Sequence, residues 1–163
     1  MRCVFLLFLF LSKIGLSQSI IEPVNGIPTK EVYDLLLDKK GFVWVAHELG
    51  ISRINSNSIS SFTNPRQASL SLTNLIEDKQ GRIWCHNFSG QIFYIENNEM
   101  KLLAAYDYTK ERVFPEMVLC NDELVITSSQ GIFICNTINL KCHYIRIPIQ
   151  TYIKPFPWRL FIC

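Results

Sequence analysis

Charge of either sign is scarce in this 163-residue sequence, and histidine is scarcer still. Only 18% of the residues are charged, sixteen Lys+Arg stand against fourteen Asp+Glu, and there are three histidines. A formal net charge of +2 is too small for the basic stripe that a nucleic-acid interface needs, so no nucleic-acid partner is expected. No like-charge run or low-complexity tract is present, which excludes the compositional route to disorder. The usual signatures of chemistry are missing as well. There is no His-x-His or Cys-x-x-Cys pair for a metal and no Gly-x-Ser-x-Gly elbow for a nucleophile. Asp38 and Asp78 recur in register, but as turn formers rather than a catalytic pair. No catalytic, cofactor-binding or metal-ligating residue is assigned. No apolar stretch reaches membrane-spanning length, and beyond the first apolar run no segment sustains a helical period.

The apolar run itself is short. Arg2 and Cys3 precede Val4 to Leu11, eight consecutive apolar residues, and Ser12-Lys13 and Gly15-Leu16-Ser17 follow. A basic start, a short apolar centre and small residues beyond it make a secretory signal peptide over 1–17. Eight residues span about 12 Å as a helix against a hydrocarbon core of about 30 Å, so a membrane anchor is the poorer reading. Arg2 and Lys13 leave with that segment, so the mature chain holds fourteen bases and fourteen acids, a formal charge of zero. An exported, periplasmic protein with no membrane span in its mature chain is expected.

The mature chain repeats itself. Asp38-Lys39-Lys40-Gly41-Phe42-Val43-Trp44 returns forty residues later as Asp78-Lys79-Gln80-Gly81-Arg82-Ile83-Trp84, and Gly50 returns as Gly90. Between Val32 and Ile51, six of twenty positions match those forty later, where chance gives about one or two. A weaker third copy has Gly131-Ile132 after Gly90, with Val125 at the tryptophan position. Each copy reads as four short strands separated by turn signals. Asp opens a turn by bonding its own backbone, and Gly supplies the left-handed residue that closes it. In the third copy Asp122, of the pair Asn121-Asp122, takes the place of the turn glycine.

Four strands in about forty residues, repeated, are the mark of a β-propeller blade. The fold class is all-β: about three blades of four-stranded antiparallel meander, over roughly 27–66, 67–107 and 108–147, forming an incomplete ring. Residues 18–147 make up this region, and 148–163 form a tail rich in proline and apolar residues that reads as the start of a truncated next blade. Trp44 and Trp84, on the second strands, are expected between neighbouring blades, where an indole buries a large area. The loops between second and third strands supply the candidate binding residues. His47, Glu48, His86, Asn87, Ser128 and Gln130 would all face one mouth of the propeller, and loop variability at the surface is the plainer account of them. Five cysteines remain after the signal segment, an odd number for an oxidising compartment. Cys135 and Cys142 flank a hairpin symmetrically. They either bridge, if the register sets them opposite, or serve as two small buried hydrophobes, the plainer role.

The stretch Val32 to Ile54 and its echo resemble the two-component regulator propeller repeat: an acidic-start turn, glycine, an apolar pair with tryptophan, then a glycine–apolar pair. Ile27 to Val32 is similar to that family's blade entry. The resemblance covers residues 24–106 well and 107–147 loosely. It implies the exported input region of a sensor of the kind found in Bacteroidetes, where such repeats precede a three-tyrosine domain, a membrane helix and usually a histidine kinase. It also implies a ligand among glycans or their breakdown products. No phosphoacceptor helix or nucleotide box is present, so this chain is not itself expected to be an enzyme. Three blades fall short of the four to eight of closed propellers, so partners are expected in further blades or downstream signalling domains. A truncated glycan lyase or hydrolase, or a non-functional remnant, are the alternatives.

Overall fold

The computed structural model describes residues 26–56 and 58–147. The signal segment, the proposed cleavage site and the tail over 148–163 lie outside them. The twelve strands form three four-stranded antiparallel sheets. The first sheet holds β1 (Val32–Leu37), β2 (Val43–His47), β3 (Gly50–Ile54) and β4 (Ile59–Phe62) in that order. The second holds β5 (Leu72–Glu77), β6 (Ile83–Asn87), β7 (Ile92–Glu96) and β8 (Glu99–Leu102). The third holds β9 (Met117–Cys120), β10 (Glu123–Ser128), β11 (Gly131–Asn136) and β12 (Cys142–Arg146). Each sheet is a plain meander, as propeller blades are, and the three stack face to face without closing a ring. The first strands β1, β5 and β9 neighbour one another along the inner rim. Among the described residues no helix is long and apolar enough to cross a membrane.

The repeated aspartate does more than start a turn. Asp38 Oδ1 accepts from the amides of Lys40 and Phe42, both at 2.9 Å, while Oδ2 accepts from the Trp44 indole Nε1 at 2.8 Å. The second blade repeats this with Gln80, Arg82 and Trp84 on Asp78. Gly41 and Gly81, at φ +84 and +77, take the left-handed position that closes each turn. Burial tends to raise the Asp38 carboxyl, but the indole and amide donors outweigh it, and its pKa lies below the ordinary value. The third blade departs from this plan. Its hairpin has two residues between the paired Cys120 and Glu123, and the left-handed residue is Asn121 rather than Asp122. With Val125 in place of the tryptophan there is no indole to hold, so the longer aspartate turn has no second task there.

The two tryptophans lie between blades, as the repeat implies. Trp44 packs with Ala46, Ile51 and Phe62 of its own blade against Leu75, Ile83, Cys85 and Ile95 of the second. Trp84 packs with Ile92 and Tyr94 against Leu124, Ile126 and Phe133 of the third. A guanidinium lies over each indole, although it comes from different strands: Arg53 of β3 in the first blade, and Arg82, just before β6, in the second. Arg82 is buried, bonds Asp78 Oδ2 through Nε at 2.7 Å, and reaches the Thr137 carbonyl of the third blade. Cys85 sits in the first interface, where complete burial pushes its thiol pKa up and makes it a small apolar side chain.

One side of the first blade has no such partner among the described residues. Leu35 and its repeat mate Leu75 are identical in type, yet Leu35 is 64% exposed and Leu75 only 7%. Val43 is likewise exposed where Ile83 is buried. Cys135 and Cys142 are directly paired across β11 and β12 and joined by a disulfide, so the bridge, not the pair of free buried thiols, is what the hairpin contains. Register decides it, because both side chains fall on the same face.

Two outcomes follow from these contacts. Asp38→Asn turns an amide NH₂ toward one indole donor and is expected to cost about 1–3 kcal/mol. Asp78→Asn does the same to an indole and a buried guanidinium, and about 3–5 kcal/mol is expected; urea unfolding of both variants checks the order. Tryptic cleavage at Lys141 without reductant should leave the peptides carrying Cys135 and Cys142 joined, which mass spectrometry reads directly.

Candidate functional site

A cleft of about 510 Å³ opens at the inner rim, where the first strands begin. Its walls are built by the starts of β1 and β5, by the end of β6, and by the segment leading into β9. Both β1 and β5 carry a register irregularity at this level, between Val32 and Asp34 and between Thr73 and Ile76. The irregularities turn Asp34 and Asn74, forty residues apart, toward the next blade. Asp34 Oδ2 accepts from the Leu75 amide at 2.6 Å, and Asn74 Oδ1 accepts from the Met117 amide at 2.9 Å. These two side chains staple successive inner strands together. Glu116 follows at the corresponding level of the third blade, also in the cleft wall.

Three aromatic rings form the rest of the wall and are unusually open for their size. Tyr33, Phe88 and Phe114 are 38%, 46% and 48% exposed. Tyr33 and Phe88 lie 4.7 Å apart by ring centroid, and Phe88 meets Phe114 edge-on at 6.0 Å. The Tyr33 hydroxyl donates to Glu31 at 3.0 Å, and that bond raises its pKa ahead of burial.

His86 forms the deepest polar part of the site, only 1% exposed and edge-on to Phe114 at 4.7 Å. Its Nδ1 lies 3.3 Å from the Asn87 carbonyl, so Nδ1 carries the proton and Nε2 is left as an acceptor. Burial pushes its pKa down to about 4, against the opposing pull of the Asn87 carbonyl and the Asp34 charge. The ring is therefore neutral near neutral pH. No lysine or arginine lines the cleft, and no metal-holding cluster of His, Cys, Asp or Glu occurs among the described residues.

Of the six candidate loop residues, His86 alone lines this cleft. His47 closes β2, and His86 and Asn87 are the last two residues of β6, so none of the three stands in a loop. His47 is buried, its Nδ1 accepting from the Leu49 amide and its Nε2 3.0 Å from Ser52 Oγ; burial lowers its pKa, with Glu48 opposing. Glu48 accepts from Thr29 Oγ1, holding the blade entry. Asn87 is buried and bonds Gln91 and the Ser69 carbonyl, a turn-forming role. Ser128 donates to Glu111, and Gln130 bonds Ser128 Oγ through its amide. Asp34, Asn74 and the three aromatics were not singled out from the sequence. An Asx pair at the forty-residue spacing, four positions before each turn aspartate, was the available signal.

The fold has known counterparts. The chain is similar to the extracellular domain of a one-component system of B. thetaiotaomicron, with a TM-score of 0.62 and 17% identity, covering 75% of this chain and 17% of that one. A second structure of that extracellular domain, described as belonging to a hybrid two-component system, matches at 0.57 and 18%, covering 73% and 17%. A catalytically inactive virginiamycin B lyase of Staphylococcus aureus, solved with quinupristin, matches at 0.60 and 22%, covering 76% and 44%. The chain thus spans under half the length of each of these proteins, and the likeness establishes the propeller-type fold shared by sensor domains and a lyase. No protein-family model matches the chain, and no curated protein does either.

The two buried imidazoles set the pH response. An unfolded histidine titrates near 6.5, so below that value the unfolded chain binds protons that folded His47 and His86 refuse, and stability falls as pH drops. For His86 the loss is complete by about pH 4 and amounts to about 3 kcal/mol at most, at 1.36 kcal/mol per pKa unit. Asp38, whose pKa is depressed, loses its contribution only at lower pH. Urea midpoints between pH 7 and 4.5 should fall steadily for the parent chain and less steeply for His86→Gln.

Proposed function

We propose that the chain is the ligand-recognising part of an exported sensor of the two-component regulator propeller type, binding a saccharide in the inner-rim cleft and performing no catalysis itself. The observation that carries this reading is the cleft. It combines three exposed aromatic faces with unshared polar groups: Asn74 Nδ2 and Thr73 as donors, Glu116 and His86 Nε2 as acceptors. A concavity that combines apolar faces with convergent polar groups is a usual form of a small-molecule site, and a sugar ring offers both apolar faces and hydroxyls to it. The repeat pattern and the likeness to a sensor's extracellular domain support the signalling context. Periplasmic export rests on the leader-like segment 1–17, and the remaining blades and the downstream signalling domains are the partners this reading requires.

A second reading, an exported propeller enzyme acting on glycans, draws on His86, a neutral imidazole with a bare nitrogen in the cleft. A base with a pKa of about 4 is weak at neutral pH, and efficient general bases are tuned near the working pH. That disfavours the enzyme. Titration of the full chain with neutral β-linked oligosaccharides, followed by mass analysis of the recovered ligand, separates the two. The sensor reading expects saturable binding, weakened at least about fivefold by Phe88→Ala or Phe114→Ala, and an unchanged ligand. A shortened or unsaturated product would support the enzyme, and the absence of any binding would overturn the saccharide site.

A further inference from the structure

Charge in the cleft is one-sided. Asp34 and Glu116 both stand in its wall, and among the described residues no basic side chain does. Asp34 spends its two oxygens on the amides of Leu35 and Leu75, and among the described residues no cation pairs with it. Among the described residues Glu116 bonds its neighbours only through its backbone, leaving its carboxylate unshared there. The second feature is independent of those acids. His86, 1% exposed, lines the same space, and its Nε2 has no partner among the described residues. The open rings of Tyr33, Phe88 and Phe114 complete the surroundings, and aromatic faces attract cations through the ring quadrupole.

Resting on the saccharide reading above, we propose that the cleft selects its ligand by charge and takes a saccharide carrying a free ammonium group, an amino sugar, in preference to a neutral sugar and against an acidic one. The ammonium has three donors and no acceptor. It matches an unshared carboxylate, a bare imidazole nitrogen and aromatic faces at once, and two carboxylates attract it. A uronic acid would place its carboxylate against Asp34 and Glu116 with no arginine or lysine to receive it. Such an uncompensated like charge is penalised on binding.

Three β-1,4-linked trisaccharides of similar shape test this: the glucosamine trimer, the glucose trimer and the glucuronate trimer, each titrated into the full chain at pH 6. There the amino groups are protonated and His86 remains neutral. The expected order is glucosamine over glucose by about tenfold, with glucuronate weaker than glucose. Glu116→Gln should reduce the preference for glucosamine over glucose severalfold, and salt at 0.5 M should weaken only the charged ligand's advantage. Equal affinity for the three sugars, or tighter binding of glucuronate, would overturn charge selection while leaving the saccharide site intact. Failure of all three to bind would overturn both. Glucosamine binding that ignores both Glu116→Gln and Phe114→Ala would place the cation elsewhere and equally refute the proposal.

Discussion

The structure depends on one carboxylate used twice over. In each of the first two blades an aspartate takes two turn amides on one oxygen and the indole of the following strand on the other. The turn, the start of the second strand and the ring that packs between blades are thereby fixed as one unit. An indole N–H buried between two sheets would otherwise lack an acceptor, and an unpaired buried donor costs about 1–3 kcal/mol. This explains why aspartate, glycine and tryptophan recur together at constant spacing. The third blade tests the explanation internally. Losing the tryptophan, it also loses the aspartate turn, and its hairpin contracts to a two-residue connection at Asn121 and Asp122.

A repeated blade has two faces, and both need a neighbour. Trp44 and Trp84 lie in interfaces that the chain makes with itself, while Leu35 occupies the position that is buried at Leu75 and remains largely open. Identical side chains at equivalent positions therefore differ in energy by their burial alone; full burial of a leucine contributes about 1.5–3 kcal/mol. The repeat places apolar residues on this face in both blades, whether or not a neighbouring sheet covers them among the described residues. Polar contacts follow the same logic. Lys39 reaches the Asp78 carbonyl and Lys79 reaches the Asp122 carboxylate, each from one turn to the next blade's turn.

Most of the architecture was legible in the sequence because it depends on short-range signals. Apolar runs, aspartate and glycine turns and the forty-residue period give four strands to each of three copies, as the described residues show, and their second-strand position places the tryptophans between blades. The site was less legible. His47 and His86 look like loop residues, since histidine next to glutamate or asparagine near a glycine suggests a surface turn, yet both complete strands and lie buried. Position alone hid the difference, because burial of a strand end depends on which blade covers it. Tyr33, Phe88 and Phe114 come from three separate segments that only the stacking of inner strands brings together. The disulfide needed register, which a symmetric hairpin suggests but does not specify.

The cleft is a consequence of how the inner strands are stapled. A regular ladder through Val32–Asp34 and Thr73–Ile76 would aim the side chains at these levels along the pleat of their own sheets. The irregularities instead swing Asp34 and Asn74 sideways to accept amides of the adjoining strand, and Asn74 adopts a left-handed conformation (φ 57) to do so. Bulges of this kind re-aim side chains and interrupt pairing, which is why they gather near functional sites. Here the same displacement that fastens one blade to the next leaves a gap at the rim with polar groups facing into it. Among the described residues Asn74 keeps its NH₂ unshared after its oxygen is used, and His86 on the neighbouring strand keeps one ring nitrogen. The fastening and the binding surface thus share residues, so the position of the cleft is fixed by the blade packing that also holds Trp44 and Trp84.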